Sequence, residues 1–290
     1  MALTLKSLNE LATFTRPSGG GRFTPAGQFE WLDQNQPRFD YSNLGEALGL
    51  LLEPQATNLI TASSYFDVAA GWYASNLIPG AAQNTAPDGT NTALRLIENT
   101  ATAQHRAAWA PDQAVEDYTQ TYTFSFFVRM VGNRTLRASF TDFYTGQDHA
   151  QVTYSLGSGL ADGPGTVRAL AGGWYRVSIT GPIPYIDVLP YFQVTQAGSR
   201  TYAGDGVSGM EVWGFQLEAG DTPTSYIPTN GSQVTRAADQ LFAANGPWRG
   251  AAGHLQVEAD EGVNVVLEDS GIRAAGQGHL RSIRYLPGAA

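Results

Sequence analysis

The stretch YTFSFFVRM, residues 122–130, alternates between large apolar and polar side chains. Successive side chains of a β-strand point to opposite faces, so this pattern places an apolar set on one face and a mostly polar set on the other. The apolar set is Tyr122, Phe124, Phe126 and Val128, and the polar set is Thr123, Ser125 and Arg129. The stretch therefore predicts a strand whose apolar face lies in a core.

Similar short stretches run from about residue 61 to 220, separated by turns rich in Gly, Pro, Asp and Asn. They include TALRLIE (92–98), LRASFTDFY (136–144), QVTYSL (151–156), GWYRVSITG (173–181) and MEVWGFQLEAG (210–220). The last predicts Trp213, Phe215 and Leu217 on one face, opposite Gln216 and Glu218, and we expect Trp72, Trp174 and Trp213 in the core. Many short strands without a convincing helix predict an all-β fold, an antiparallel β-sandwich.

The segments on either side of this series are shorter and less regular. GLLLEPQATNLI (49–60) reads as a buried strand that stops at Pro54 and restarts at Leu59, which makes it a joint between two parts. LTLKSLNELATF (3–14) has near-helical spacing and predicts a short helix that needs a partner. We therefore expect an N-terminal module over 1–60, a sandwich over 61–235 and a C-terminal β appendage over 236–290.

Composition excludes several classes of partner. The chain has 290 residues, with 17 Lys and Arg against 26 Asp and Glu, a net charge of −9, so a nucleic acid backbone would be repelled. It has no cysteine, which rules out disulfides and thiolate metal sites. No signal-like segment and no run of 18 apolar residues occurs, so we expect no membrane insertion.

Several motifs, in a fixed order, resemble a known group of proteins. They are ATFTRPSGGGRFTPAGQFEWLDQNQPRFDY (12–41), GLLLEPQATNLI (49–60), APDGTNTALRLIENTATAQHRA (86–107), GGWYRVSITG (172–181) and VWGFQLEAGDTPTSYIPTNGSQVTRAAD (212–239). Over roughly residues 12–240 the chain resembles tailed-phage and prophage virion proteins of the tail or fibre, which carry a carbohydrate-binding-like jelly roll. Members often continue into a second lectin-like sandwich, and GHLRSIRYLPG (278–288) resembles its closing strand, so the C-terminal segment reads as a reduced version.

The resemblance implies a non-enzymatic structural protein on the surface of the virion, as a tail, fibre or head-decoration component. It implies attachment to other virion proteins through residues 1–60 and a homo-oligomer, with a trimer favoured. One alternative is a receptor-binding adhesin that recognises host surface polysaccharide. A weaker alternative is a glycan hydrolase, for which candidate acids exist but no spacing selects a pair. These acids are Asp142, Asp148, Glu258, Asp260 and Glu261.

Sugar contact is best served by aromatic side chains next to polar hydrogen-bonding groups, because a ring can pack against the apolar face of a pyranose. Three segments have this composition: QHRAAW (104–109), TDFYTGQDH (141–149) and PYIDVLPYF (184–192). The glycan-binding candidates are Arg106, Trp109, Phe143, Tyr144, Asp148 and His149, with Tyr185 and Tyr191 in the third segment. For the tryptophans and tyrosines, a place in the core is the competing interpretation.

We expect no cofactor other than a structural calcium ion. Jelly rolls of the type that the chain resembles often hold one through carboxylates and carbonyl oxygens near an end of the sandwich. Asp88, Glu218 and Asp221 are the candidate ligands, although Asp88 precedes a glycine and also fits an ordinary turn. The four histidines show no metal-ligand spacing.

Overall fold

We describe the protein from a computed structural model, which describes residues 12–66, 68–80, 84–110, 115–244, 253–268 and 271–287. Almost all regular structure in these ranges is antiparallel strand, with three short 3-10 turns at Val68–Ala70, Leu156–Ser158 and Ala171–Gly173. The helix predicted over 3–14 lies mostly outside the described residues, and Thr13–Thr15 is a strand. No helix in the described ranges is long and apolar enough to cross a bilayer.

The strands of the described ranges are numbered in chain order. They are β1 Thr13–Thr15, β2 Gly20–Phe23, β3 Phe29–Leu32, β4 Phe39–Tyr41, β5 Ala47–Leu52, β6 Ala56–Asn58, β7 Trp72–Ser75, β8 Leu77–Pro79, β9 Leu94–Glu98, β10 Thr102–Ala103, β11 His105–Trp109, β12 Thr121–Val131, β13 Thr135–Asp142, β14 Asp148–Ser155, β15 Leu160–Asp162, β16 Gly165–Ala169, β17 Tyr175–Pro182, β18 Val188–Thr195, β19 Tyr202–Ala203, β20 Gly209–Ala219, β21 Val234–Arg236, β22 Gln240–Ala244, β23 Gly253–Ala259, β24 Val263–Glu268, β25 Gly271–Gly276 and β26 Gly278–Pro287.

The chain divides into two compact units. The central unit is Thr57–Thr235, and the terminal unit combines Met1–Ala56 with Arg236–Ala290. From the sequence we predicted an N-terminal module and a separate C-terminal appendage. In the structure these two segments belong to one unit. The reason is strand pairing across the whole chain, because β1 pairs with β22 and β5 pairs with β26.

The central unit is an antiparallel β-sandwich, as predicted. Its front sheet has the strand order β15-β14-β13-β18-β11-β7, and its back sheet has the order β16-β17-β12-β20-β9-β8. Both sheets contribute to one apolar core, in which the largest fully buried side chains include Trp72, Phe126 and Phe192. The apolar face predicted for YTFSFFVRM is confirmed, since its four members all belong to this core.

The face predicted for Trp213 is wrong. Its ring packs against Phe127 and Tyr226, at centroid distances of 5.1 and 4.8 Å, on the outside of the back sheet, while Phe215 and Leu217 point into the core. A register shift between β12 and β20 surrounds Gly214, whose φ is +64°. A bulge inserts one extra residue and reverses the alternation. The tryptophan is nevertheless buried, as predicted, as are Trp72 and Trp174.

The terminal unit contains two four-stranded sheets, β1-β22-β25-β24 and β23-β26-β5-β4, and the hairpin β2-β3. Its small core includes Phe14, Leu50, Leu52, Leu241 and Leu280. The strand and stop predicted for GLLLEP are confirmed, because β5 ends at Leu52 and its last three residues are buried. A core of this size gives modest stability, which raises the weight of the polar contacts around it.

Five buried charged side chains form a cluster in the terminal unit, which we call the charge cluster. Its members are Arg16, Arg38, Glu53, Arg236 and Asp239, each at most 4% exposed. Asp239 pairs with Arg38 and, at 3.2 Å, with Arg16. Glu53 accepts from Arg38 at 2.7 Å. The arginines also donate to backbone carbonyls, as Arg16 does to Asp33 and Arg236 to Pro54. Charges this deeply buried are tolerated only when they are paired and hydrogen-bonded.

His279 bridges two carboxylates in the same unit. Its Nδ1 lies 2.9 Å from an oxygen of Asp260, and its Nε2 lies 3.3 Å from an oxygen of Asp40. Burial opposes the charged imidazole, but the two carboxylates outweigh it and raise the pKa of His279. Arg281 also pairs with Asp260, which keeps that carboxylate ionised. The bridge therefore ties β26 to β4 most strongly when the imidazole is protonated.

We expect the contribution of this bridge to stability to depend on pH. A pKa raised by folding adds stability below the unfolded value of about 6.5 and loses it as pH rises through the folded value. The free energy of unfolding should therefore fall more for His279→Gln at pH 5.5 than at pH 8.5. Denaturant titrations of both proteins at the two pH values measure this. An equal loss at both values would contradict a charged bridge.

Candidate functional site

The outer face of the front sheet carries two rows of side chains. Directly opposed residues on neighbouring antiparallel strands share a face. The residues that alternate with them along each strand, such as Ala107 and Phe192, lie in the core. The first row, from β7 to β15, is Ser75, Arg106, Gln193, Arg137, Thr153 and Asp162. The second row is Tyr73, Ala108, Tyr191, Ser139 and Gln151. A line of hydrogen-bonding groups thus runs beside a line that contains two tyrosines.

Two aromatic rings of the second row, Tyr191 and Tyr73, are followed towards the edge of this face by those of Phe143 and Tyr144. We call these four residues the aromatic row. Consecutive rings meet edge to face, at centroid distances of 6.3, 6.0 and 5.1 Å. The hydroxyls of Tyr73 and Tyr191 lie 3.0 Å apart. Exposure rises along the row, from 3% for Tyr191 to 49% for Phe143 and 77% for Tyr144. The row therefore has an anchored inner end and an open outer end.

Arginines and amides dominate the polar half of the face. Asp148 accepts from Arg137 at 2.6 Å and from Arg200 at 3.3 Å. With its amide oriented to satisfy both arginines, the Gln193 oxygen accepts from Arg137 at 3.0 Å and from Arg200 at 3.3 Å. Gln151 accepts from Arg137 at 2.5 Å. These contacts hold the side chains in fixed positions.

Several of these polar side chains are buried although they point away from the core. They are Arg137, Ser139, Thr141, Gln193 and Thr195, none more than 5% exposed. The Ser139 hydroxyl accepts from Arg137 at 3.1 Å and from Thr141 at 2.7 Å. Burial lowers the pKa of Arg137, and Asp148 opposes this shift. A recessed and prearranged set of hydrogen-bonding groups of this kind suits a polar ligand, since little ordering remains to be done on binding.

The structure brings most of the predicted glycan-binding residues to this face or its edge. Arg106 stands in the first row, Asp148 pairs with two arginines, and Phe143 and Tyr144 form the open end of the aromatic row. His149 contacts Tyr185 beside them, with 3.2 Å between Nε2 and the hydroxyl. Because these residues come from different strands and loops, their meeting is a result of the fold.

Trp109 is the exception and corrects the prediction. It is 3% exposed, belongs to the core, and donates from its indole nitrogen to the carbonyl of Ala70 at 2.9 Å. On β11 the alternation turns Ala107 and Trp109 inward and Arg106 outward. Four residues of this face were not predicted as glycan-binding residues: Tyr73, Arg137, Gln193 and Arg200. Tyr73 follows the predicted core residue Trp72, so strict alternation along WYAS would have placed it on the outer face.

The calcium candidates do not converge. Asp88 accepts from the backbone and hydroxyl of Thr90, which is a local turn. Glu218 is buried and accepts from Thr224 and Gln216, and burial raises its pKa. Asp221 accepts from the neighbouring Thr222. Within the described ranges, no group of three or more acidic, histidine or cysteine side chains could hold a metal ion.

Three of the candidate hydrolytic acids, Asp142, Asp148 and Asp260, are bonded to other side chains or to the backbone. Asp142 accepts from the backbone of Thr145 at 2.6 Å and from the Tyr185 hydroxyl at 2.7 Å, and these bonds lower its pKa to about 2. Asp260 pairs with His279 and Arg281 in the other unit. A glycosidase needs one carboxylic acid that keeps its proton near neutral pH. A pKa near 2 makes Asp142 a poor proton donor.

A second concave feature lies at one end of the sandwich. It is a cleft of about 530 Å³ whose lining includes Leu136, Tyr154, Tyr175, Arg129 and Arg134. Both arginines form ion pairs within the protein, Arg129 with Glu211 and Arg134 with Glu98. The lining of the cleft contains no row of exposed rings. The outer face of the front sheet is the better candidate.

No protein-family model and no curated protein matches the chain. Among solved structures, it is similar to the Clostridium thermocellum endo-1,4-beta-D-xylanase 10B, solved as CBM22-1-GH10 modules with xylohexaose. The identity is 15%, the TM-score is 0.36, and the match covers 61% of this chain and 30% of the xylanase chain. It is also similar to the CBM22-1 xylan-binding domain of Paenibacillus barcinonensis Xyn10C, at 13% identity and a TM-score of 0.32, over 57% of this chain and 92% of that domain.

Proposed function

We propose that the outer face of the front sheet binds a glycan. The observation that carries this proposal is the aromatic row, which ends in exposed rings and runs beside a recessed row of fixed hydrogen-bonding groups. Rings can pack on the apolar face of a sugar while amides and guanidinium groups bond its hydroxyls. The protein would then serve as a receptor-binding component that recognises surface polysaccharide.

We also propose that this component belongs to a phage particle, without enzymatic activity, and that the terminal unit fixes it to other virion proteins as part of a homo-oligomer. The resemblance of the motifs supports this role. Further support comes from the charge cluster, since Arg16, Arg38, Glu53, Arg236 and Asp239 all lie in those motifs. They give the terminal unit a fixed internal structure, which an attachment module requires. If the front face binds no glycan, a purely architectural role is the remaining form of this proposal.

The double variant Phe143→Ala/Tyr144→Ala tests glycan binding. Both side chains are largely exposed, so we expect an unchanged melting temperature. Loss of two stacking rings should weaken polysaccharide binding by about tenfold or more, which corresponds to about 1.4 kcal/mol. Affinity electrophoresis against a panel of bacterial surface polysaccharides, before and after periodate oxidation, provides the measurement.

Tyr65→Ala is the matched control, because Tyr65 is also an exposed aromatic residue of the central unit, 36% exposed, and has no part in the aromatic row. We expect it to bind like the unchanged protein. Binding that survives periodate treatment, or an unchanged affinity of the double variant, would overturn the assignment of this face to glycans.

A further inference from the structure

We propose that the glycan is acidic and that a carboxylate of one of its sugars binds at Arg106, over Gln193 and opposite Arg137. This inference rests on the proposed function of the front face and names the ligand class. It is carried by an excess of positive charge at one position of the first row.

The side chain of Arg106 forms no hydrogen bond or ion pair with another residue of the described ranges. Its guanidinium lies over the ring of Tyr191, 4.9 Å from the centroid. The residue is half-buried. A guanidinium presents five donors in a planar fork that matches a carboxylate. A cation held over a ring with its donors unused is well placed to receive an anion.

The charges around Arg106 do not balance. Arg137 and Arg200 share the single carboxylate of Asp148, so three guanidinium groups face one carboxylate. Asp162 lies at the far edge of the first row, two strands beyond Arg137, and Asp142 is bonded to Tyr185. The whole chain carries a net charge of −9, so this local excess runs against its overall charge. Such a patch favours an anionic ligand.

The strand register places an arginine on each side of Gln193. Arg106 is opposite Gln193 on one neighbouring strand, and Arg137 is opposite it on the other. Neighbouring strands lie about 4.8 Å apart, so the two arginines flank the glutamine within about 10 Å of each other at the backbone. A carboxylate above Gln193 would accept two bonds from Arg106. The adjacent Tyr191 and the aromatic row would take the sugar rings.

The test uses pairs of polymers that differ only in the carboxylate. The probes are polygalacturonate, alginate and hyaluronan, each with its carboxyl-reduced derivative, measured by isothermal titration at low salt with the full chain. We expect at least one acidic polymer to bind, and its reduced derivative to bind at least tenfold more weakly. Arg106→Ala should lose the same factor for the acidic polymer and little for the reduced one, because a charge-assisted pair is removed.

Arg95→Ala is the matched control. Its side chain is 48% exposed and pairs with Glu211 on the back sheet, so the variant removes an exposed arginine from the sheet that does not contain Gln193. It should bind like the unchanged protein. Arg106→Lys, which keeps the charge but not the planar fork, should recover only part of the affinity.

Each remaining outcome decides between the two proposals. Equal binding of acidic and reduced polymers, or equal binding by Arg106→Ala, overturns the acidic ligand and leaves glycan binding intact when Phe143→Ala/Tyr144→Ala still weakens it. Absence of binding to every polymer, acidic and reduced, together with the whole polysaccharide panel, overturns glycan binding itself and the inference with it.

Discussion

Replacing Asp239 with asparagine is expected to lower the free energy of unfolding of the terminal unit by about 3–5 kcal/mol, the range for breaking a buried ion pair. The substitution keeps the shape of the side chain and removes its charge. Asp239 pairs with Arg38 and Arg16, and accepts from the backbone of Glu53 at 2.8 Å. Without it, three buried guanidinium groups would share the single carboxylate of Glu53, and desolvated positive charge would remain without compensation.

Hydrogen exchange read peptide by peptide measures this effect within the terminal unit. In Asp239→Asn we expect faster exchange in β1, β5 and β22, the strands that lead into the charge cluster. Glu30→Gln is the control, because Glu30 pairs with Arg22 at the surface, where such a pair contributes at most about 1 kcal/mol. If both variants exchange alike, the charge cluster does not stabilise the unit in the way its geometry implies.

The charge cluster shows why the sequence predicted the strands better than their assembly. Three of its residues, Arg16, Arg38 and Glu53, are next to a proline in the sequence, where a charged side chain is ordinarily exposed. Arg16 and Asp239 meet although 223 positions separate them in the chain. Alternation and turn residues describe neighbours along the chain, and they carry no information about which distant charges pair. For the same reason, the first and last segments were predicted as two separate parts, although they form one unit.

Local patterns were reliable wherever the strand stayed regular. In β12 the alternation of aromatic residues correctly predicted the core, because it continues without a break from Tyr122 to Val128 and the extra residue of the bulge lies on β20. In β20 the same reasoning failed for Trp213, since Gly214 takes a positive φ and adds a residue to the strand. A glycine inside an alternating stretch can mark such a bulge, so the signal was present.

The sequence predicted several residues of the candidate site, but it did not predict how they are arranged. The segments rich in aromatic and polar residues supplied Arg106, Phe143 and Tyr144, which the fold brings to one face. Trp109 belongs to one of these segments and yet fills the core, because strand alternation and not composition decides the side. Arg137 and Gln193 were missed since a buried polar residue on an outer face resembles, in sequence, any polar residue of a strand.

Asn58 gives the second large effect. Its amide nitrogen donates to the carbonyls of Phe215 and Ile227, at 3.0 and 2.9 Å. Its amide oxygen accepts from the backbone of Ile60 and Leu217, at 3.1 and 3.2 Å. One fully buried side chain thus satisfies four backbone groups from three segments of the central unit. In the sequence, Asn58 lies between the stop at Pro54 and the restart at Leu59 of the predicted joint, and nothing there predicts that its side chain is buried.

We expect Asn58→Leu to lower the free energy of unfolding of the central unit by at least about 4 kcal/mol. Four buried backbone groups would lose their partner, and each costs about 1–3 kcal/mol when left unsatisfied. Urea titration followed by tryptophan fluorescence measures the loss, since Trp72, Trp109, Trp174 and Trp213 are all buried in this unit.

Asn91→Leu is the control for the amide-to-leucine change, because Asn91 is exposed and accepts only from the Thr85 hydroxyl among the described residues. It should stay within about 0.5 kcal/mol of the unchanged protein. A loss below about 1 kcal/mol for Asn58→Leu would mean that the backbone groups find other partners. The joint would then be held by the apolar packing of Leu59 and Ile60 alone. A loss of the expected size would make one asparagine the link between the start of the sandwich and its last long strand.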